Sequence, residues 1–249
     1  MLKGSAFATF SLYRLESPMI EEPPILTINS AMRRPTADQL ALFDGVQTGF
    51  VADALGGGGA LDALIRPLSG TLPRETVVGP ALTADCGPAD VLATFAALDF
   101  IQPGDVLVTA FAGFQGCATA GDRVIGMLKN GGGIAFVTDG PVRDATGIVA
   151  TGVPVWCTGL TPASPYSKGP GAVGFAVQIG GLEVETGDIV VADGDGVVIV
   201  PFEKIDAVGA RLQEVKAHEA ALDKEVAEGL RSFPAVSELL KTDKTAFRT

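Results

Sequence analysis

The chain has 249 residues, 47% of them hydrophobic, and a formal net charge of −11. That length supports one sizeable core, and the acidic balance argues against binding a nucleic-acid backbone and leaves recognition of a small anion to local positive groups. Gly, Pro or charge interrupts every apolar run before membrane-spanning length, and Cys86, Cys117 and Cys157 are too dispersed for a disulfide framework or a thiolate zinc site, which fits a reduced cytoplasm.

Residues 1–34 carry Pro18, Pro23 and Pro24 and no clear periodicity, so they read as a loosely packed N-terminal extension. Tyr13, Arg14 and Glu16 break the apolar start before any convincing leader-cleavage site. The compact domain is expected over residues 35–232, with 233–249 as a C-terminal tail. Pro35 to Phe43 and Gly49 to Leu55 read as two short helices, the second broken by the glycines at 56–59. No Gly-Lys-Ser/Thr follows those glycines, so a turn is preferred there over phosphate binding.

Short extended segments come next, at Ile65–Leu68, Val77–Ala84 and Val106–Ala110, with a helix-like run from Ala89 to Phe100 between the last two. A glycine-dotted loop over 113–121 leads into a helix-like run from Val124 to Lys129. An apolar strand, Ile134 to Val137, enters a Gly140-Pro141 turn whose proline suits the first position of a helix. From Val153 to Val200 the pattern is mostly β, with Gly180-Gly181 as a hairpin turn. Asp193-Gly-Asp195-Gly196 is read as another such turn, because the downstream Glu of a calcium loop is absent. Lys204 to Gly229 reads as a long amphipathic helix carrying Ile205, Val208, Leu212, Val215 and Leu222, able to cover the sheet or reach a neighbouring subunit. Strand, glycine loop and helix recur, which is the pattern of an α/β fold.

Asp122 and, twenty intervening residues later, Arg143-Asp144 are the residues with chemistry to offer. Both segments are expected at helix N-termini, where unpaired backbone N–H groups and the helix dipole favour a carboxylate. A 2-oxo acid suits such a place: its carboxylate on the Gly121, Asp122, Arg123 and Val124 backbone, Arg143 near its carbonyl oxygen, and a hard divalent cation on Asp144. His218 is the single histidine and lies among Lys216, Glu219 and Ala220, so a solvated helix face is the preferred reading. Cys117 is read as a small packing residue and the Lys168 loop as structural.

Over about residues 45–230 the chain resembles the RraA-like proteins, which include the 4-hydroxy-4-methyl-2-oxoglutarate and 4-carboxy-4-hydroxy-2-oxoadipate aldolases. The resemblance is carried by Val51-Ala-Asp-Ala-Leu-Gly56, Ile65-Arg-Pro-Leu68, Pro103-Gly-Asp-Val-Leu107, Gly121-Asp122, Thr138-Asp-Gly-Pro-Val-Arg-Asp144, Gly152-Val-Pro-Val155, Lys168-Gly-Pro-Gly171 and Gly187-Asp-Ile-Val-Val-Ala-Asp193. It implies a three-layer β/β/α sandwich of the swivelling-domain type, assembled as trimers or hexamers with sites between subunits. It also implies a pyruvate lyase using Mg2+, Mn2+ or another divalent metal. In that pattern Asp122 orients water, Arg143 contacts the pyruvyl carbonyl and Asp144 binds the metal. An acidic residue of the C-terminal helix reaches the neighbouring subunit's site, and Glu219 is the first candidate, ahead of Glu214 and Glu225. The aldolase pattern has an acidic residue three positions after the second aspartate, where this chain has Gly147, a departure expected to bear on the substrate more than on the metal site.

The expected activity is therefore cleavage of a 4-hydroxy-2-oxo acid to pyruvate and a carbonyl product, with oxaloacetate decarboxylation as a side activity. The alternatives are a lyase or decarboxylase for another 2-oxo acid, and a non-catalytic RraA-type regulator that binds a ribonuclease. The expected partners are a small anionic 2-oxo acid and further copies of this chain, with neither nucleic acid nor membrane.

Overall fold

A computed structural model describes residues 24–73 and 75–248 of the protein. The strands are β1 (Leu26–Ile28), β2 (Arg66–Pro67), β3 (Val77–Asp85), β4 (Val106–Ala110), β5 (Ala135–Thr138), β6 (Val155–Cys157), β7 (Gly171–Val173), β8 (Val177–Ile179), β9 (Leu182–Val184), β10 (Ile189–Ala192) and β11 (Val197–Val200). The α-helices are α1 (Ala37–Ala41), α2 (Thr48–Ala54), α3 (Leu92–Ala97), α4 (Asp122–Asn130), α5 (Ala145–Thr151), α6 (Ile205–Ala227) and α7 (Pro234–Leu239).

The main sheet runs β1-β7-β3-β4-β5-β6-β2. Its centre is parallel: β3, β4, β5 and β6 follow one another in sequence and in space, and α3, α4 and α5 make the crossovers. Strand β3 serves two sheets. Its second half, Ala81 to Asp85, pairs with β4, while Val77 to Pro80 pairs antiparallel with β10 and so leads into the β10–β11 hairpin.

Alternation along β4 shows why two layers form. Val106, Val108 and Ala110 face the second sheet, in a core with Val137, Trp156, Val190 and Ile199, whereas Leu107 faces Ile125, Leu128 and Ile148 of the crossover helices. The expected β/β/α sandwich is thus present. The far side of β10 and β11 is covered in turn by α1, α2 and the first turns of α6, through Phe43, Val51, Ile205, Val208 and Leu212. Burying each such side chain contributes roughly 1.5–3 kcal/mol.

Several local expectations hold. Thr36 caps α1 in a capping box with Gln39, and Gly180-Gly181 joins β8 to β9 with φ of +55° and +81°, as a two-residue hairpin turn of primed type requires. Gly59, also at positive φ, follows the turn at residues 55–56, and its carbonyl accepts from the Ile199 amide. Others need correction. Pro141 does not open a helix; Val142 after it forms a β-bridge with Leu160, and α5 begins only at Ala145. The stretch assigned to the N-terminal extension supplies strand β1, whose Leu26–Ile28 pair with β7, and Arg34, which forms a two-bonded ion pair with the fully buried Asp105. Residues 1–23 of that extension lie outside the described residues. The presumed C-terminal tail contains α7, all of it exposed or half-exposed.

Candidate active site

Parallel α/β sheets place ligands beyond the carboxyl ends of their strands. Here the loops leaving β4 (residues 111–121) and β5 (residues 139–144) are stitched together by the Thr119 amide donating to the Pro141 carbonyl at 2.8 Å and the Arg143 amide to the Ala120 carbonyl at 3.0 Å. Thr119 Oγ1 adds a second bond to Pro141. This short zipper ends with Gly121-Asp122 beside Arg143-Asp144, so two segments far apart in sequence share one wall. Deeper in the loops, the buried carboxylate of Asp139 accepts the amides of Phe111 (2.6 Å) and Gly113 (2.7 Å) and holds the start of the first loop; burial pushes its pKa up, against the pull of those two bonds.

Gly121, Asp122, Arg123, Val124, Arg143 and Asp144 together line a pocket of about 340 Å3. All six residues proposed from the sequence for substrate and metal therefore meet in one place. Gly121 is the N-cap of α4 and has no side chain with which to cap the amides of Asp122, Arg123 and Val124, which leaves the first turn open to an anion. Val124 turns its side chain into the core while lining the pocket. Asp144 is the N-cap of α5 in the left-handed conformation, φ +58° and ψ +42°, a setting in which a non-glycine residue is uncommon and which turns its carboxylate away from capping its own helix. That carboxylate lies 3.3 Å from Arg143 Nε, while Arg143 Nη1 donates to Ser164 Oγ at 2.9 Å. Ser164 gave no signal in the sequence; it sits in a Thr/Pro/Ser-rich connection and meets Arg143 only through the fold.

Two glycines allow this crowding. A Cβ at Gly121 would lie 2.6 Å from Asp144 Oδ2, and one at Gly147 would lie 2.5 Å from Asp122 Oδ2. Each aspartate thus rests against a glycine of the other segment. Gly147, expected to bear on the substrate more than on the metal site, abuts Asp122.

The remaining candidates fall elsewhere. Glu214, Glu219 and Glu225 lie on α6, whose buried face packs on the far sheet, and none of them lines this pocket. His218 is largely exposed, with Nδ1 4.0 Å from Glu219. Cys117 is buried, which pushes its thiol pKa up and suits packing rather than nucleophilic attack. The Lys168 and Gly169 amides donate to Asp90, and Asp193 accepts from Thr48 and from the Asp195 amide, so both loops have structural partners.

Among the described residues no group of three or more His, Cys, Asp or Glu side chains is arranged to hold a metal. The carboxylates at the pocket are those of Asp122 and Asp144, both oxygen donors, with no His or Cys beside them. No helix among the described residues is long and apolar enough to cross a membrane.

The model of the RraA-like family, described as Aldolase/RraA, matches residues 48–199. A protein of Halalkalibacterium halodurans named "Putative 4-hydroxy-4-methyl-2-oxoglutarate aldolase" is 32% identical over 207 residues, covering 83% of this chain and 97% of that protein. The crystal structure of Streptomyces coelicolor RraAS2, described as an unusual member of the RNase ES inhibitor RraA protein family, superposes with a TM-score of 0.66 at 31% identity, over 78% of this chain and 100% of that one. An uncharacterized protein from Pseudomonas syringae pv. tomato shares the fold, with a TM-score of 0.69 at 24% identity over 81% of this chain and 93% of its own. The chain belongs to the RraA-like family.

Proposed function

We propose that the protein is a divalent-metal-dependent carbon–carbon lyase that cleaves a 4-hydroxy-2-oxo acid to pyruvate and a carbonyl product, and that oxaloacetate decarboxylation runs through the same enolate. The observation that carries this reading is the convergence of an uncapped helix N-terminus, one guanidinium and two carboxylates on one small pocket. Likeness to a relative named as an aldolase supports it.

The amides of Asp122 to Val124 bind the substrate carboxylate, and Arg143, held by Ser164, faces the C2 oxygen. Asp144 would hold a divalent cation, magnesium or manganese, which when bound would supply Lewis acidity toward the 2-oxo group. Asp122 holds the water that accepts the C4 hydroxyl proton. As the C4 oxygen becomes the product carbonyl, the C3–C4 bond breaks, its electron pair forms the C2–C3 double bond, the C2 carbonyl pair moves onto its oxygen, and the charge that develops there lies against Arg143. Return of a proton to C3 gives pyruvate.

Pyruvate release from a panel of 4-hydroxy-2-oxo acids and oxaloacetate, with and without magnesium, tests the reading. EDTA should silence turnover reversibly, and Asp144→Ala should abolish it. Full activity in EDTA would refute the metal-dependent mechanism. The kinship with an RNase ES inhibitor family keeps a regulatory reading in view, in which ribonuclease inhibition would persist in Asp144→Ala and no member of the panel would be turned over.

A further inference from the structure

Gly147 lies inside α5, with an ordinary helical backbone and no positive φ. In that setting Ala in place of Gly should stabilise a helix, so a glycine needs a reason. The reason is steric. The three atoms nearest to a Cβ at 147 would all belong to Asp122: Oδ2 at 2.5 Å, Cβ at 2.6 Å and Cγ at 2.9 Å. Asp122 Cβ is fixed by the first turn of α4, so the side chain cannot yield by turning its carboxylate alone. Either Asp122 is displaced or α4 and α5 part.

Gly126 provides the contrast. It is the helical glycine of α4, and a Cβ there would meet nothing within 4 Å. We propose that Gly147 is a positioning residue for Asp122: the bare surface of α5 is the seat that sets the Asp122 carboxylate relative to Arg143 and Asp144, and any side chain at 147 moves it out of working position. This rests on the pyruvate-lyase reading. It also means that acquiring the acidic residue of the aldolase pattern at this position would weaken this enzyme unless its two helices moved apart.

The test compares full-length wild type, Gly147→Ala, Gly126→Ala, Asp122→Gly and the Asp122→Gly/Gly147→Ala double variant, using oxaloacetate and 4-hydroxy-2-oxo acids with magnesium. Gly147→Ala should lose about 100-fold in kcat with little change in KM, as a misplacement near 1 Å would cause. Its Tm should fall by about 2–10 °C, while Gly126→Ala should keep its activity and gain about 1–4 °C. In the Asp122→Gly background the alanine at 147 should no longer lower Tm, because the atoms it strikes are gone.

Wild-type kcat in Gly147→Ala, or a Tm gain like that of Gly126→Ala, overturns the proposal. Equal Tm losses from Gly147→Ala in both backgrounds overturn it as well. Should Gly147→Ala fail to accumulate as folded protein, the double variant is expected to recover, and its failure to do so counts against the proposal. A wild type inactive on every substrate defeats the lyase reading instead, and the Tm comparison then still decides the contact.

Discussion

Asp144 holds two roles at once: it ends one loop in a left-handed conformation and presents its carboxylate to the pocket. Arg143 is held between that carboxylate and Ser164, so its planar fork is aimed before any ligand arrives. Arg143→Lys should keep the charge but lose the geometry, and on the proposed lyase reading kcat for pyruvate release should fall about 100-fold. Ser164→Ala removes one hydrogen bond of about 0.5–1.5 kcal/mol and should lower kcat about threefold to tenfold, measured on the same substrate. The types and spacing of Asp122, Arg143 and Asp144 were readable along the chain because acids and guanidinium groups stand out in a glycine-rich, apolar stretch. Ser164 was not, since a serine among prolines and threonines looks like loop until the fold brings it to Arg143.

At the scale of elements, α4 and α5 lie side by side, and the Lys129 ammonium donates to the Thr151 carbonyl at the far end of the pair. The site sits at the opposite end, where both helices begin. The strand–loop–helix rhythm that makes this possible is visible in the sequence, because apolar runs bounded by Gly and Asp recur there. The starts of the helices differ in legibility. Thr36 announces α1 through its capping box, and Thr36→Ala should cost about 1 kcal/mol, seen as a lower midpoint in urea unfolding with unchanged m. At α5 the proline signal misled, since Pro141 belongs to the loop zipper and Val142 to a bridge with Leu160, contacts between segments that no local rule weighs. Strand β7 has no local mark of its own within the β-rich stretch: Gly171–Val173 is extended because β1 and β3 flank it, and Gly174, at φ +85°, ends it.

Over the whole molecule, two sheets share β3, and the single tryptophan, Trp156, is fully buried between them with Nε1 donating to the Asp193 carbonyl at 2.9 Å. Its fluorescence therefore reports the central core. Asp90 offers a pH probe of the same fold. Burial pushes its pKa up, but the amides of Leu92, Lys168 and Gly169 outweigh burial and hold it below the ordinary 3.8. With the folded value below the unfolded one, its contribution to stability is fully present above pH 3.8 and is lost as pH falls through the folded value. Asp90→Asn should thus lower Tm at pH 7 and flatten the acid limb below pH 3.8, followed by Trp156 fluorescence. The sequence by itself determined the α/β class, the family, the helix starts that carry charge and the residues with chemistry to offer, because each is written in local pattern and residue type. Only the tertiary structure decided that an early strand joins the sheet, that Glu219 does not line its own chain's pocket, and that Gly147 abuts Asp122. Those depend on which atoms approach across long stretches of chain, and close packing settles that only once every layer is in place.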